Sequence, residues 1–263
     1  MCSPKGAPGV TTLACAIGAV WPQGRNVLLA ECDPSGGDLA ARFSLSSKCG
    51  MTSFVMARRH SPAATSDDSN HVQQLPGGLE AVVGPIGSGP ANALDHEIAA
   101  LEWPFFSQDV DVVFDCGRFV PTASGQRSIL ERSDSVLVVT NPEPSGLAHS
   151  NWLLERLRTV RAQGCPQVVL AGEGSVPSRE VSDVLGVRVL HLVPADPRAA
   201  AVFCGVPGRA SNLARSSLVL AGRRLVQAVI DLPLSGDVPQ LATDQSSPCD
   251  QSEKRLEPED CSK

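Results

Sequence analysis

Residues 3–12 read SPKGAPGVTT and run straight into the helical stretch LACAIG. Gly6 and Gly9 let successive backbone N–H groups turn inward, and a helix N-terminus adds partial positive charge, so the segment could cradle phosphates. The Thr11 hydroxyl could then ligate Mg2+. The strict phosphate-loop pattern asks for G-K-[ST], and Val10 stands in the lysine's place; taken alone, the string reads as well as a tight turn before a helix. In VLLAECDPSGGDLAARF, residues 27–43, Glu31 and Asp33 lie at i and i+2 on a strand end. Carboxylates so spaced point the same way and could orient a water or a magnesium shell. The stretch GPIGSG, residues 84–89, has the spacing G-x-x-G-x-G, whereas a dinucleotide fingerprint needs G-x-G-x-x-G, so it reads as a strand-to-helix connection. No G-x-S-x-G elbow for a serine nucleophile occurs, and the histidines read as surface or boundary residues.

The elements that must position these loops are short aliphatic runs, NVLLAE, LEAVVG, DVDVVFD, DSVLVVT, PQVVLA and VRVLHLVP, separated by stretches with helical spacing. Runs apolar on both faces suit strands covered from both sides. The alternation predicts an α/β fold, a doubly wound, mostly parallel sheet, in which chemistry gathers in the loops at the carboxyl ends of the strands. Residues 44–78 are irregular and predict a short helix followed by an exposed loop. Residues 1–231 read as one domain. From residue 232 the composition turns polar, acidic and proline-bearing, which predicts a disordered tail.

The chain of 263 residues is 42% hydrophobic and 19% charged, enough to bury a full core. A formal net charge of −6 argues against nucleic-acid binding by bulk electrostatics. Arg215, Arg223 and Arg224 on the last long helix read as its solvated side, and DNA binding rests on them alone. The nine cysteines show no C-x-x-C pair and no metal-ligand spacing, as expected of small core residues in a reducing cytoplasm. Neither a leader nor an apolar run long enough to span a membrane is apparent, and a cytoplasmic protein is expected.

KGAPGVTT, then VLLAECDPSGGDLA, DVVFDCG, VLVVTNPEP and LVPADPRAAAVFCGVP occur in one order over residues 3–228. This series resembles the ParA/MinD family of deviant phosphate-loop ATPases, which reads KGGxGKTT, VLxxDxDPxG, IIDxxP or IIDxG, VxxPxP and IPxD with AxxxGxP. The resemblance implies a P-loop nucleotide-binding fold and ATP with Mg2+ as cofactors. It implies that Lys5 crosses to the nucleotide of a partner subunit in a homodimer, and that Lys5, Gly6, Ala7, Pro8, Gly9, Val10, Thr11 and Thr12 form the phosphate cradle. Thr11 then ligates magnesium, Asp33 positions the attacking water, and Asp115 holds magnesium through water. Gly117 offers a backbone donor to the terminal phosphate, the backbone near Pro194 faces the base, and Glu31 is a further candidate at the metal.

Three departures bear on activity. Val10 removes a charged contact to the β and γ phosphates, worth about 1.5–3 kcal/mol, which speaks against rapid hydrolysis rather than against binding. Ala171, Gly172, Glu173 and Gly174 stand where the family presents an asparagine to adenine. Only Met1 and Cys2 precede Ser3, so either a strand lies upstream of Met1 or the sheet lacks its central strand; the first is the expectation, because the second leaves two rows of backbone groups unpaired and predicts poor stability.

The leading expectation is an ATP-dependent dimerising switch with slow hydrolysis, acting in positioning, partitioning or division-site placement through an unidentified protein partner. The polar, proline-broken tail gives it no direct membrane anchor. The alternatives are a pseudo-ATPase scaffold and, more remotely, an NAD(P)-dependent α/β enzyme using GPIGSG.

Overall fold

The computed structural model describes residues 1–5, 9–60, 68–107, 109–160, 165–208 and 210–232. Gly6, Ala7 and Pro8 of the predicted cradle, and residues 233–263 of the predicted tail, lie outside the described residues. The aliphatic runs become strands β1 (Asn26–Glu31), β3 (Glu80–Val82), β4 (Val110–Asp115), β5 (Leu137–Thr140), β6 (Gln167–Ala171) and β7 (Val189–Val193), all of which pair in parallel. A two-residue strand, β2 (Gln73–Gln74), adds an antiparallel edge that has no signature in the sequence. The helices are α1 (Val10–Gly18), α2 (Leu39–Phe43), α3 (Met51–His60), α4 (Ser88–Ala99), α5 (Ser124–Arg132), α6 (Pro144–Val160), α7 (Ser178–Leu185), α8 (Pro197–Phe203), α9 (Ala210–Leu213) and α10 (Ser217–Ile230).

Side chains alternate across the sheet with a period of two, and both faces are covered. Leu28, Ala30, Phe114, Val138 and Val168 join the core under the α4–α7 side, together with Leu94, Leu130 and Leu154. Leu29, Val113, Leu137, Val139 and Val169 join the opposite core with Leu13 and Ile17 of α1 and Leu225 and Val226 of α10. The last long helix is capped by the Ser216 hydroxyl, which accepts from Val219 N at 3.2 Å, and it keeps Arg223 and Arg224 in solvent as its spacing requires.

The strands order as β2-β3-β1-β4 and β5-β6-β7. Between β4 and β5 lie residues 1–3. Met1 N donates to Phe114 O at 2.7 Å, and Met1 O accepts from Cys116 N at 2.9 Å. On the other side Cys2 N donates to Leu137 O at 3.0 Å, and Cys2 O accepts from Val139 N at 2.8 Å. Ser3 N donates to Gly117 O at 2.9 Å. Residues 1–3 thus join the two halves of the sheet at the carboxyl ends of the strands. The alternation also continues through them, since Met1 faces one core and Cys2 the other.

Candidate functional site

The loops predicted to carry chemistry meet at the carboxyl ends of β1, β4, β5, β6 and β7. Glu31 and Asp115 close β1 and β4 as direct register partners, 1% and 0% exposed. Glu31 Oε1 accepts from Asp38 N at 2.6 Å and Leu39 N at 3.0 Å, and Oε2 accepts from Gly84 N at 2.8 Å. Both oxygens are thus committed to backbone amides at the start of α2 and the end of the β3 segment. In this arrangement Glu31 braces the two loops. Burial pushes its pKa up to about 7, the neighbouring Asp115 charge adds to the rise, and the three amides only partly offset it.

Asp115 is differently placed. Its Oδ1 accepts from Gly117 N at 3.0 Å, while Oδ2 is buried and has no hydrogen-bond partner. Burial raises its pKa; the nearby Thr11 hydroxyl, the Gly117 amide, the Met1 ammonium and Arg42 pull against that rise. Gly117, predicted to offer its N–H to a phosphate, here gives it to Asp115. Gly117 has φ +54°, and a side chain there would run into the Asp33 carboxylate. Asp33 Oδ1 accepts from Ser35 N at 2.7 Å, and desolvation raises its pKa as well.

The N-terminus of α1 supplies the opposite polarity. Gly9, at φ 85°, caps it in a left-handed conformation that glycine adopts freely. Val10, the first helical residue, is 5% exposed and packs into the core beside Leu13 and Ile17. Thr12 Oγ1 lies 3.6 Å from Cys204 Sγ and accepts from Arg42 Nη1 at 3.4 Å, and Arg42 is paired with Asp38 at 3.0 Å.

Beside these groups opens a cavity of about 610 Å3. Of the predicted residues it contains Lys5, Gly9, Thr12 and Pro194; Val10, Thr11, Glu31, Asp33, Asp115 and Gly117 are outside its lining. Its volume falls within the usual range for small-molecule sites. Sequence reasoning missed two of its walls: Thr140 and Asn141 at the end of β5, and Asp196, which caps α8 by accepting from Ala199 N at 3.0 Å. The signal for the first was the polar T-N following VLVV. Gly172 lines the cavity where an asparagine had been looked for.

For a cation, the observation that matters is the orphaned Oδ2 of Asp115 near the Thr11 hydroxyl. Among the described residues no group of three or more His, Cys, Asp or Glu could hold a metal unaided. One carboxylate and one hydroxyl fit Mg2+, which keeps several waters and completes its shell with phosphate oxygens.

No known protein-family profile matches the chain, and no curated protein matches it by sequence. Solved structures do. MinD, a cell division ATPase of Pyrococcus furiosus, superposes with a TM-score of 0.68 at 18% identity, covering 88% of this chain and 97% of that one. The fold is that of the MinD and ParA ATPases. MinD of Pyrococcus horikoshii OT3, solved with Mg-ADP, gives 0.64 at 20% identity, covering 88% and 94%. A ParA family ATPase of Chlorobium tepidum TLS gives 0.62 at 18%, covering 86% and 96%. In this MinD/ParA-type fold the mostly parallel sheet is covered on both sides, as the strand and helix alternation predicted. Among the described residues no helix is long and apolar enough to cross a membrane.

Proposed function

We propose that the chain is a nucleotide-dependent switch that takes ATP with Mg2+ and pairs with a second copy of itself to recruit a protein partner in intracellular positioning or partitioning. The observation that carries this reading is the convergence of a Gly9-capped helix N-terminus, the open Oδ2 of Asp115 and the Lys5-lined cavity at one end of the sheet. Lys5 and the backbone from Gly6 to Thr12 would hold the phosphates; Asn141, Gly172 and Pro194 would border the rest of the nucleotide. Thr11 and Asp115 would hold Mg2+, whose charge offsets that of the phosphates when bound. Asp33, beside Gly117, would orient a water. Lys5 is exposed and would cross to a facing subunit.

Val10 favours a second reading, binding without turnover, because a buried valine contributes no charge at the phosphates. Calorimetry with Mg-ATP tests the common core of both, and absence of saturable binding at millimolar ATP would sink it. An ATPase assay then separates them: turnover above background supports the switch with slow hydrolysis, and none supports the scaffold.

A further inference from the structure

The loop that follows β4 is held from inside by one side chain. Gln126 is 0% exposed, and each polar atom of its amide is bonded to that loop. Nε2 donates to Cys116 O at 2.6 Å and to Arg118 O at 2.8 Å, and Oε1 accepts from Val120 N at 2.8 Å. A chain leaving a sheet loses its ladder partners, so three backbone groups find in Gln126 what the strand no longer gives them.

The placing of Gln126 comes from a second helix. α5 begins at Ser124, after Ala123, which has no side-chain acceptor to cap it. Asp95 of α4, 5% exposed, takes that part: Oδ1 accepts from Gln126 N at 2.7 Å and Oδ2 from Gly125 N at 3.0 Å. A side chain at Gly125 would run into the Asp95 backbone, so the close approach of the two helices depends on that glycine.

Cys116 O and Gly117 N belong to one planar peptide unit. That unit is pinned at both ends, its carbonyl by Gln126 Nε2 and its N–H by Asp115 Oδ1 at 3.0 Å. The carbonyl of Gly117 accepts from Ser3 N at 2.9 Å and is fixed separately. Gly117, at φ +54°, has no side chain to oppose rotation of the 116–117 unit, so the restraint comes from these hydrogen bonds. Given Asp115 as the Mg2+ ligand of the function proposed above, on which this rests, we infer that Gln126 is a positioning residue for the cation site. By fixing the 116–117 peptide it keeps the Gly117 N–H on Asp115 Oδ1 and so leaves Oδ2 for the metal. Gln126 is outside the cavity lining and acts through Asp115, and Asp95 acts one step further back through the start of α5.

Calorimetry on the full chain, with Mg2+ or with EDTA, compares the parent with two variants. Gln126→Met keeps the length and removes all three hydrogen bonds; Gln126→Asn keeps the amide, one methylene too short to reach them, should the first variant not fold. The parent's ATP affinity should gain about 10- to 100-fold from Mg2+ and that of each variant less than about threefold, with affinity in EDTA unchanged. A Mg2+ gain equal to the parent's overturns the inference, as does an equal fall in both affinities, which marks damage to the fold alone. A parent with no Mg2+ gain overturns the proposed function and this assignment with it. Amide exchange of the chain without nucleotide gives a second readout. The Gly117 amide, which Gln126 does not bond, should exchange at least about 10-fold faster in the variants, with Val120, which loses its own acceptor, as the positive control. A Gly117 amide as protected in the variants as in the parent overturns the inference.

Discussion

Glu31 and Asp115 sit opposite one another in register at the ends of β1 and β4, both buried, yet only Asp115 keeps an oxygen open. One carboxylate is consumed in holding loops together, and its neighbour is left for a ligand. Substitutions at the two positions should therefore separate stability from binding.

Asp115→Asn removes the charge a cation needs while relieving like-charge crowding against Glu31. The ligand-free variant should be at least as stable as the parent at pH 8. Its nucleotide affinity should become indifferent to Mg2+, where the parent gains about one to two decades from the metal, as calorimetry with and without EDTA will read.

Glu31 makes folding pH-dependent. Its folded-state pKa of about 7 lies above the ordinary 4.5, so the folded chain binds that proton more tightly than the unfolded one. The resulting stability is fully present below about pH 4.5 and is lost as pH rises through about 7, a change on the order of 3 kcal/mol. The raised pKa values of Asp33 and Asp115 act with the same sign. Urea denaturation at pH 5 and pH 8 should show the decline, and Glu31→Gln should flatten it while costing about 1–3 kcal/mol at pH 5, because its NH2 must face a backbone N–H.

Gly117→Ala places a methyl against the Asp33 carboxylate and asks alanine to hold φ +54°. We expect a loss of about 1–3 kcal/mol in denaturant unfolding, with Asp33 displaced and any ATP turnover abolished.

Val10→Lys restores a cation at the cradle at the expense of a core contact. Affinity for Mg-ATP should rise about 10- to 100-fold, and turnover should rise with it if Asp33 and Asp115 are set for chemistry. Turnover that stays at background would show that they are not. A drop in Tm is expected in either case, from the lost burial of Val10.

Much of this site was legible in the sequence because its parts are local. A buried aliphatic run followed by acids put Glu31 and Asp33 at a strand's end, Gly9 ahead of a helical run marked the cap, and Asp115 and Gly117 stood out only through the resemblance of DVVFDCG to the family motif. The bracing role of Glu31 was not legible, since one of its partners, Gly84, is 53 residues away and the contact is made through backbone. Asn141 belongs to the VLVVTNPEP motif, but its place in the cavity lining shows only in the folded chain. Residues 1–3 are too few to show any period, so their place in mid-sheet shows only in their hydrogen bonds to Phe114, Cys116, Gly117, Leu137 and Val139.

The contact of Thr12 with Cys204 joins the first helix to α8 across 192 positions of sequence. Cys204 is a free, exposed thiol in contact with Thr12 of the cavity lining, whereas Cys165, also exposed, precedes β6 at the far end of that strand. With Cys49, Cys249 and Cys261 replaced by serine, the pair gives the molecule a built-in optical reporter. A maleimide dye should react with Cys204 more slowly as nucleotide fills the cradle, with Cys165 as the internal clock against which that slowing is read.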